Sequence, residues 1–322
     1  MEKLLTVNNL NLNFNTFKGK NKVLRNINID VNKSEVLGIV GETGCGKSVL
    51  ALSILGLVPK PGEITGGQIY FRQKNLLELS DKELENIRGK NISLIFQSPM
   101  SALNPVFKVK KQMMEVILAH SNKSKKEALK EALRLLNLVR VPEPESVLEC
   151  YPHELSGGMA QRVVISMAIS SQPALLIADE PTTALDVTIE KQIIRLMKNI
   201  KEELETSLIF ISHDLEIIKQ IAERVAVMYA GNIVEIGDCN DILNSPIHPY
   251  TKALIKAVPS RIKRGQELQG IEGIVPELID LPEGCIFESR CEKSIAKCKE
   301  GSPPKLKNVS ENRYVACFNF EG

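Results

Sequence analysis

Nowhere in its 322 residues does the chain string together the ~18–20 apolar residues that a bilayer-spanning helix requires. A membrane role would therefore have to come through partners. No charge dominates either. There are 41 basic against 39 acidic residues, a formal net charge of +2, so composition leaves no electrostatic footprint for nucleic acid. Met1-Glu2-Lys3-Leu4-Leu5-Thr6 carries an acid and no long apolar core, so a signal peptide is not expected and a cytosolic protein is. Internal repeats and low-complexity segments are missing, and no two cysteines stand at the C-x₂₋₄-C spacing usual in structural zinc sites. What is present is ordinary globular material. Apolar residues make up 43% and charged residues 25%, enough for a sizeable core in one large domain or two.

The chain is organised around Gly41-Glu42-Thr43-Gly44-Cys45-Gly46-Lys47-Ser48. An apolar run, Val36 to Val40, precedes it and reads as a buried strand. Val49 to Leu55 follows and reads as a helix. Strand, G-x-x-x-x-G-K-S, then helix is the context of a phosphate-binding loop. Its glycines let successive N–H groups turn toward an anion, and the helix adds the positive end of its dipole. Lys47 is then expected on the β- and γ-phosphates of a nucleotide and Ser48 on Mg²⁺. A Gly-rich turn that happens to carry Lys-Ser is the bland alternative. Cys45 sits inside this positive field, which is expected to favour its thiolate and make it reactive toward a maleimide.

Residues 4–34 alternate apolar and polar side chains, as half-buried antiparallel strands do. Phe14 or Phe17, near the turn at Thr16 to Lys20, could stack on an adenine ring. Strands are expected at Gly66 to Phe71, Ile92 to Phe96, Leu175 to Ala178, Ser207 to Ile211, Val225 to Tyr229 and Ile233 to Ile236. Helices are expected at Asp81 to Arg88, Lys125 to Leu138, Val163 to Ile169, Ala184 to Leu204 and Leu215 to Glu223. Ser124 with Glu127 fits a capping box, and the lysines after it read as a solvated face. Strands alternating with helices imply a parallel sheet, with a helical insert at about 98–172. From about Ser245 prolines accumulate and the chain reads as a loop-rich appendage.

Three further features carry chemistry. An apolar strand runs into Asp179-Glu180, which suits an Asp that holds Mg²⁺ beside a Glu that deprotonates an attacking water; two solvated turn acids are the alternative. Ser156-Gly157-Gly158 opens a helix and could be a second anion site, or an ordinary N-cap. Two such devices far apart in sequence would be explained by a head-to-tail dimer. Finally, four of the seven cysteines crowd the end of the chain: Cys285, Cys291, Cys298 and Cys317, spaced C-x₅-C-x₆-C-x₁₈-C. In a reducing compartment such a cluster points to metal before disulfides. Unliganded thiols, zinc and an iron–sulfur cluster all remain open on spacing alone.

The sequence closely resembles the ATP-binding subunits of ABC transporters over most of residues 4–250. Gly41 to Ser48 matches the Walker A loop, Gln97 the Q-loop, and Leu155 to Gln161 the signature motif, with Met159 where the family often has Gln. Leu175 to Glu180 matches Walker B, Ala184-Leu185-Asp186 the D-loop and His213 the switch histidine. Phe96-Gln97-Ser98-Pro99-Met100-Ser101-Ala102-Leu103-Asn104-Pro105, His248-Pro249-Tyr250-Thr251 and Gly284-Cys285-Ile286-Phe287 are similar to the oligopeptide/dipeptide/nickel importer branch, with the first closer to its D subunit than to F.

The resemblance implies an α/β P-loop NTPase core with an antiparallel β subdomain and a helical signature-motif subdomain. An ATP-binding domain would span 4–254 and a loop-rich, cysteine-bearing extension 255–322. It implies an ATPase that drives import of di- or oligopeptides, or nickel, from the cytoplasmic face of the cell membrane. Its partners would be a second ATPase subunit, paralogue or self, two permeases and indirectly a solute-binding protein; no nucleic acid is expected. A soluble ABC-type ATPase acting on nucleic acid or ribosomes is the alternative. ATP contacts would come from Gly41 through Val49, Gln97, Asp179 and Phe17, and in trans from Ser156, Gly157 and Gly158. Glu180, His213 and Gln97 would be catalytic, Ser48 and Gln97 would hold Mg²⁺, and Cys285, Cys291, Cys298 and Cys317 a [4Fe–4S] cluster. The tail is expected to lie peripheral to the ATP motifs and to tune or stabilise the assembly.

Overall fold

The computed structural model describes residues 2–17, 19–257, 271, 273, 276, 278–279 and 282–320. In chain order these form strands β1 Lys3–Thr16, β2 Gly19–Asn32, β3 Val36–Val40, β4 Gly62–Phe71, β5 Lys74–Asn75, β6 Ile92–Ile95, β7 Leu175–Asp179, β8 Ser207–Ser212, β9 Arg224–Tyr229, β10 Asn232–Asp238, β11 Lys307–Ser310 and β12 Arg313–Val315. The chain divides into two compact units. One holds Met1–Glu2, Asn32–Glu35 and Leu79–Ile211; the other holds Lys3–Val31, Val36–Glu78 and Ser212–Gly322. Among the described residues no helix is long and apolar enough to cross a membrane.

The second unit contains a sheet in the order β2-β1-β4-β5, with β4 antiparallel to β1 and to β5. The alternation read from residues 4–34 is real but changes phase. Leu5 and Val7 are buried at odd positions, then Leu10 and Leu12 at even ones. A bulge explains the switch: Asn9 is left-handed at φ 48° and the β1–β4 register slips between Asn8 and Asn11. Asn26, at φ 50°, does the same in β2, where burial passes from Leu24 to Ile27, Ile29 and Val31. The Asn28 side chain accepts from Asn9 N–H and the Asn11 side chain from Asn26 N–H, both at 3.0 Å, so each bulge is held by an amide of the neighbouring strand. β4 begins at Gly62, earlier than expected, because Gly62 still pairs opposite Phe14.

In the same unit β3, buried at every position, lies parallel to β9, and β9 and β10 form an antiparallel hairpin. The expected loop-rich appendage is only partly loop. β12 pairs antiparallel with β10, and β11 with β12, so the tail extends a sheet. Hydrogen bonds to one buried carboxylate explain why a three-residue strand holds there. Arg313 donates to Glu235 at 2.7 Å, and Glu235, fully buried in β10, also accepts the N–H groups of Ile247 and His248 at 3.0 Å each. His248 then caps a helix, Pro249–Lys256, inside the stretch expected to be loop-rich. Residues 258–270 of the proposed extension lie outside the described residues.

The first unit has β6, β7 and β8 side by side and parallel, with β7 buried throughout. The expected helical insert is present as Pro99–Ala102, Val109–Ala119, Lys125–Leu138, Pro144–Glu149 and Gly157–Ala168. The capping box forms: Ser124 N–H donates to Glu127 at 2.7 Å, and Ser124 Oγ accepts from Glu127 N–H at 3.3 Å. Ala128, Ala132, Leu135 and Leu136 make the buried stripe of that helix, leaving its lysines outward. The helix expected from Ala184 begins instead at Val187. Ala184 is left-handed at φ 64°, and Asp186 is the N-cap, accepting from the N–H groups of Thr188 and Ile189 at 3.0 and 2.9 Å.

Candidate functional site

Residues Gly41–Val49 and His213 lie in the second unit; Gln97, Ser156–Gly158 and Asp179–Glu180 lie in the first. In the second unit the loop after β3 is glycine-dependent at two points. Gly46, the N-cap of helix Lys47–Ile54, sits at φ 106°, and a Cβ there would come within 2.8 Å of Met228 and 2.9 Å of the Val23 carbonyl. A Cβ on Gly41 would run into the Met228 carbonyl. The loop is tied down from outside by Gly231 N–H donating to Cys45 O at 2.9 Å. Lys47 is buried, and its ammonium folds back over the loop, donating to the carbonyls of Gly41 at 2.8 Å and Glu42 at 3.1 Å. A cation is thus held at the start of a helix, inside a ring of backbone, where an anion gains most. Thr43, Gly44 and Ser48 are exposed at the loop surface.

Cys45 does not behave as the sequence suggested. It is fully buried, and burial pushes its thiol up, outweighing the neighbouring Lys47 that pulls it down. Burial therefore weighs against the expected reactive thiolate; Cys45 is packed beneath the loop. Of the two phenylalanines, Phe17 stands 99% exposed beyond the end of β1, whereas Phe14 is half-buried with its ring against Gly62.

In the first unit β7 delivers Asp179, buried, and then Glu180. Glu180 adopts a left-handed φ of 47°, a costly conformation for a non-glycine residue, held by its N–H donating to Ile211 O at 3.0 Å. Its Oε2 accepts from two donors: Gln97 Nε2 at 3.0 Å and Thr183 Oγ1 at 2.9 Å. Two donors on one oxygen fix the carboxylate rotamer. The structure therefore brings together Gln97 and Glu180, which are 83 positions apart. Thr183 was missed; its place three residues after Glu180, in the turn before the capped helix, was the only signal for it.

Ser156 is the N-cap of helix Gly157–Ala168 and accepts from Met159 N–H at 3.3 Å, which is the ordinary local role. Gly158 has a packing reason as well: a Cβ there would come within 2.9 Å of Ile189 on the helix Val187–Leu204. His213 follows directly on β8 and is exposed, while Ser212 Oγ accepts Asp214 N–H at 3.0 Å and Asp214 caps the next helix.

The cysteines of the tail converge electrostatically. Burial pushes the Cys285 thiol up to about 11, with Cys298, Cys317 and Cys291 adding to the shift. Burial also raises Cys291 and Cys317, again with neighbouring thiols contributing. Cys285, Cys291 and Cys317 each accept a backbone N–H from the residue two positions on, Phe287, Lys293 and Asn319, the last at 3.4 Å. Cys285 N–H donates to Cys298 O at 2.8 Å. Even so, among the described residues no three His, Cys, Asp or Glu side chains are arranged to hold a metal ion.

The tail is not peripheral to the phosphate loop, contrary to expectation. Arg290, one residue before Cys291, donates to Glu42 of the loop at 2.9 and 3.2 Å, and Glu42 N–H donates to Tyr250 Oη at 3.0 Å. Nothing local marks either partner, because they meet the loop from more than 200 positions downstream.

Comparison with known proteins adds the following. The family described as "ABC transporter" matches residues 24–183, and "Oligopeptide/dipeptide transporter, C-terminal region" matches residues 234–298. The dipeptide transport ATP-binding protein DppD of Bacillus subtilis is 49% identical over 319 residues, 99% of this chain and 95% of that protein. The oligopeptide transport ATP-binding protein OppD of Escherichia coli is 43% identical over 98% of this chain and 93% of its own length. Among solved structures, the ATP-binding cassette MJ0796, in a dimeric post-hydrolysis state bound to ADP and Pi, superposes with a TM-score of 0.64 at 26% identity, covering 73% of this chain and 98% of that one.

Proposed function

Because the chain belongs to the family of ATP-binding subunits of oligopeptide/dipeptide ABC transporters, we propose that it is the ATP-hydrolysing subunit that energises uptake of di- or oligopeptides. It is an ABC-type ATPase that uses ATP and Mg²⁺. The alternative of a soluble ATPase acting on nucleic acid or ribosomes finds no support among these relatives. Relatives named for dipeptide and oligopeptide transport favour a peptide over nickel as the solute.

The observation that carries the nucleotide reading is the loop 41–48, with Lys47 held inside it at a helix start. In this reading the loop backbone and Lys47 take the phosphates, and Phe17, exposed beyond β1, takes the adenine. Ser48, Gln97 and Asp179 would hold Mg²⁺, which would supply countercharge to the phosphates. Glu180, oriented by Gln97 and Thr183, accepts the proton of the attacking water, and His213 steadies the γ-phosphate. Ser156, Gly157 and Gly158 serve the ATP of a second ATPase subunit across a head-to-tail dimer. The dimer moves two permeases from the cytoplasmic face of the membrane. The ATP-binding domain spans 4–254 and the extension 255–322.

A [4Fe–4S] cluster held by Cys285, Cys291, Cys298 and Cys317 belongs to the same proposal. Its support is the family resemblance and the crowding of the four cysteines in the tail, where Cys285 N–H donates to Cys298 O at 2.8 Å and Asn319 N–H to Cys317 Sγ at 3.4 Å; among the described residues the side chains are not arranged around a metal ion. Such a group would cross-link a tail with few apolar residues of its own.

The test is Glu180→Gln. The variant keeps MgATP binding, loses hydrolysis by about 10²-fold or more as expected for removal of a general base, and elutes at twice the mass when ATP is present. Lys47→Ala loses ATP binding instead. A Gln variant with near-normal turnover in the assembled transporter rejects Glu180 as the base.

A further inference from the structure

The charge at Glu42 is hard to understand from the loop alone. A loop that binds a polyanion gains from every N–H and ammonium it presents and loses from any carboxylate left beside them. Yet Glu42 is the second residue of this one. The structure supplies the counterpart. Arg290 Nη1 reaches Glu42 Oε2 at 2.9 Å and Nη2 reaches Oε1 at 3.2 Å, a two-pronged pairing that sets both charge and orientation. The Arg290 side chain is 4% exposed and that of Glu42 27%, so this is not a solvent-screened surface pair.

The guanidinium is itself fixed. Its Nη1 also donates to the Tyr229 hydroxyl at 3.3 Å and its Nη2 to Ile271 O at 3.2 Å. Tyr229 packs its ring against Tyr250 and Phe287, with centroids 4.5 and 5.1 Å away. Tyr250 in turn accepts the backbone N–H of Glu42. Both handles on Glu42, carboxylate and amide, are therefore gripped by residues of the second unit that lie downstream of residue 183, where the match to the ABC transporter family ends.

We propose that Arg290 is a positioning residue for the phosphate loop: it neutralises Glu42 and pins the first half of the loop, so that affinity for MgATP depends on the C-terminal extension. The proposal rests on the reading of 41–48 as the nucleotide site. Without Arg290, Glu42 becomes an uncompensated carboxylate beside the phosphates. The defect must then vanish when the carboxylate is removed too. A merely structural arginine, needed for the fold of the tail, would give a defect that Glu42→Gln does not relieve.

The experiment measures equilibrium MgATP binding and the KM and kcat of hydrolysis on the full chain, starting with the natural sequence. No MgATP binding there would reject the nucleotide-site reading itself. Given that binding, Arg290→Met is expected to weaken MgATP about tenfold, with KM rising in step and kcat changing little, as for a charge partner removed from a half-buried pair. Adding Glu42→Gln to Arg290→Met recovers most of that loss. Arg290→Lys, which keeps the charge and the tail but not the fork, loses about threefold and carries the test should the Met variant fail to fold. Arg290→Met or Arg290→Lys with unchanged MgATP affinity overturns the proposal. So does a double variant as weak as Arg290→Met alone.

Discussion

At Cys45 two effects on one thiol oppose each other. The Lys47 ammonium favours the thiolate, but full burial beneath the loop costs the charged form more. Cys150, by contrast, is half-exposed to solvent and reagent. In native protein at neutral pH a maleimide is therefore expected to label Cys150 well before Cys45, and bound MgATP is expected to make little difference to Cys45. Peptide mass spectrometry after timed labelling checks this, and rapid ATP-sensitive modification of Cys45 would restore the reactive-thiolate reading. Residue type and motif spacing located this position correctly. They could not supply its burial, which the Met228 and Val23 segments create around the loop.

The helix Pro249–Lys256 depends on a buried cap. His248 Nδ1 accepts Tyr250 N–H at 3.0 Å, and burial pulls its imidazole down to about 3, helped by Lys252 and opposed by a backbone partner at Ala316. Glu235, which accepts His248 N–H, and Arg313 are the other charged groups at this cap. Below the ordinary value of about 6.5 the unfolded imidazole takes a proton that the folded one refuses. Unfolding is thus favoured as pH falls from about 6.5 toward 3, by up to ~1.4 kcal/mol per pH unit. His248→Asn keeps a capping acceptor without the titration. Urea unfolding followed across this range is expected to show a flatter acid limb for the variant. Equal limbs would mean that His248 is protonated in the folded state.

For the molecule as a whole, the tail's contact with the phosphate loop changes what the cysteines should control. A tail peripheral to the ATP motifs would leave ATP binding indifferent to them. Cys291 follows Arg290 directly, so loss of its sulfur should disturb the arm that grips Glu42. Protein purified without oxygen is expected to be brown, to absorb near ~400 nm as thiolate-ligated iron does, and to contain iron and sulfide. Cys291→Ser should bleach it, render the tail protease-sensitive and weaken MgATP binding several-fold, roughly as loss of the Arg290–Glu42 pairing would. Colourless anaerobic protein with one zinc per chain would replace the cluster with a zinc site. A bleached variant with full MgATP affinity would uncouple the thiols from the loop.

The sequence by itself determined the elements whose cause is local or periodic. These are the alternating β1 and β2, the apolar runs at the heart of β3, β7 and β8, the capped helix Lys125–Leu138, and the loop whose glycines and Lys47 announce a phosphate site. It also determined the family, since six ordered motifs are a pattern no single element could mimic. Tertiary structure decided what depends on residues far apart in the chain. The Asn9 and Asn26 bulges shift the buried face through bonds between strands. β12 survives at three residues because Arg313 finds the buried Glu235. Glu180 is aimed by Gln97, and Glu42 is gripped by Arg290 across 248 positions. Periodicity and spacing report only what a residue's near neighbours require. A carboxylate's partner is chosen by where the fold leaves a buried charge that must be paired.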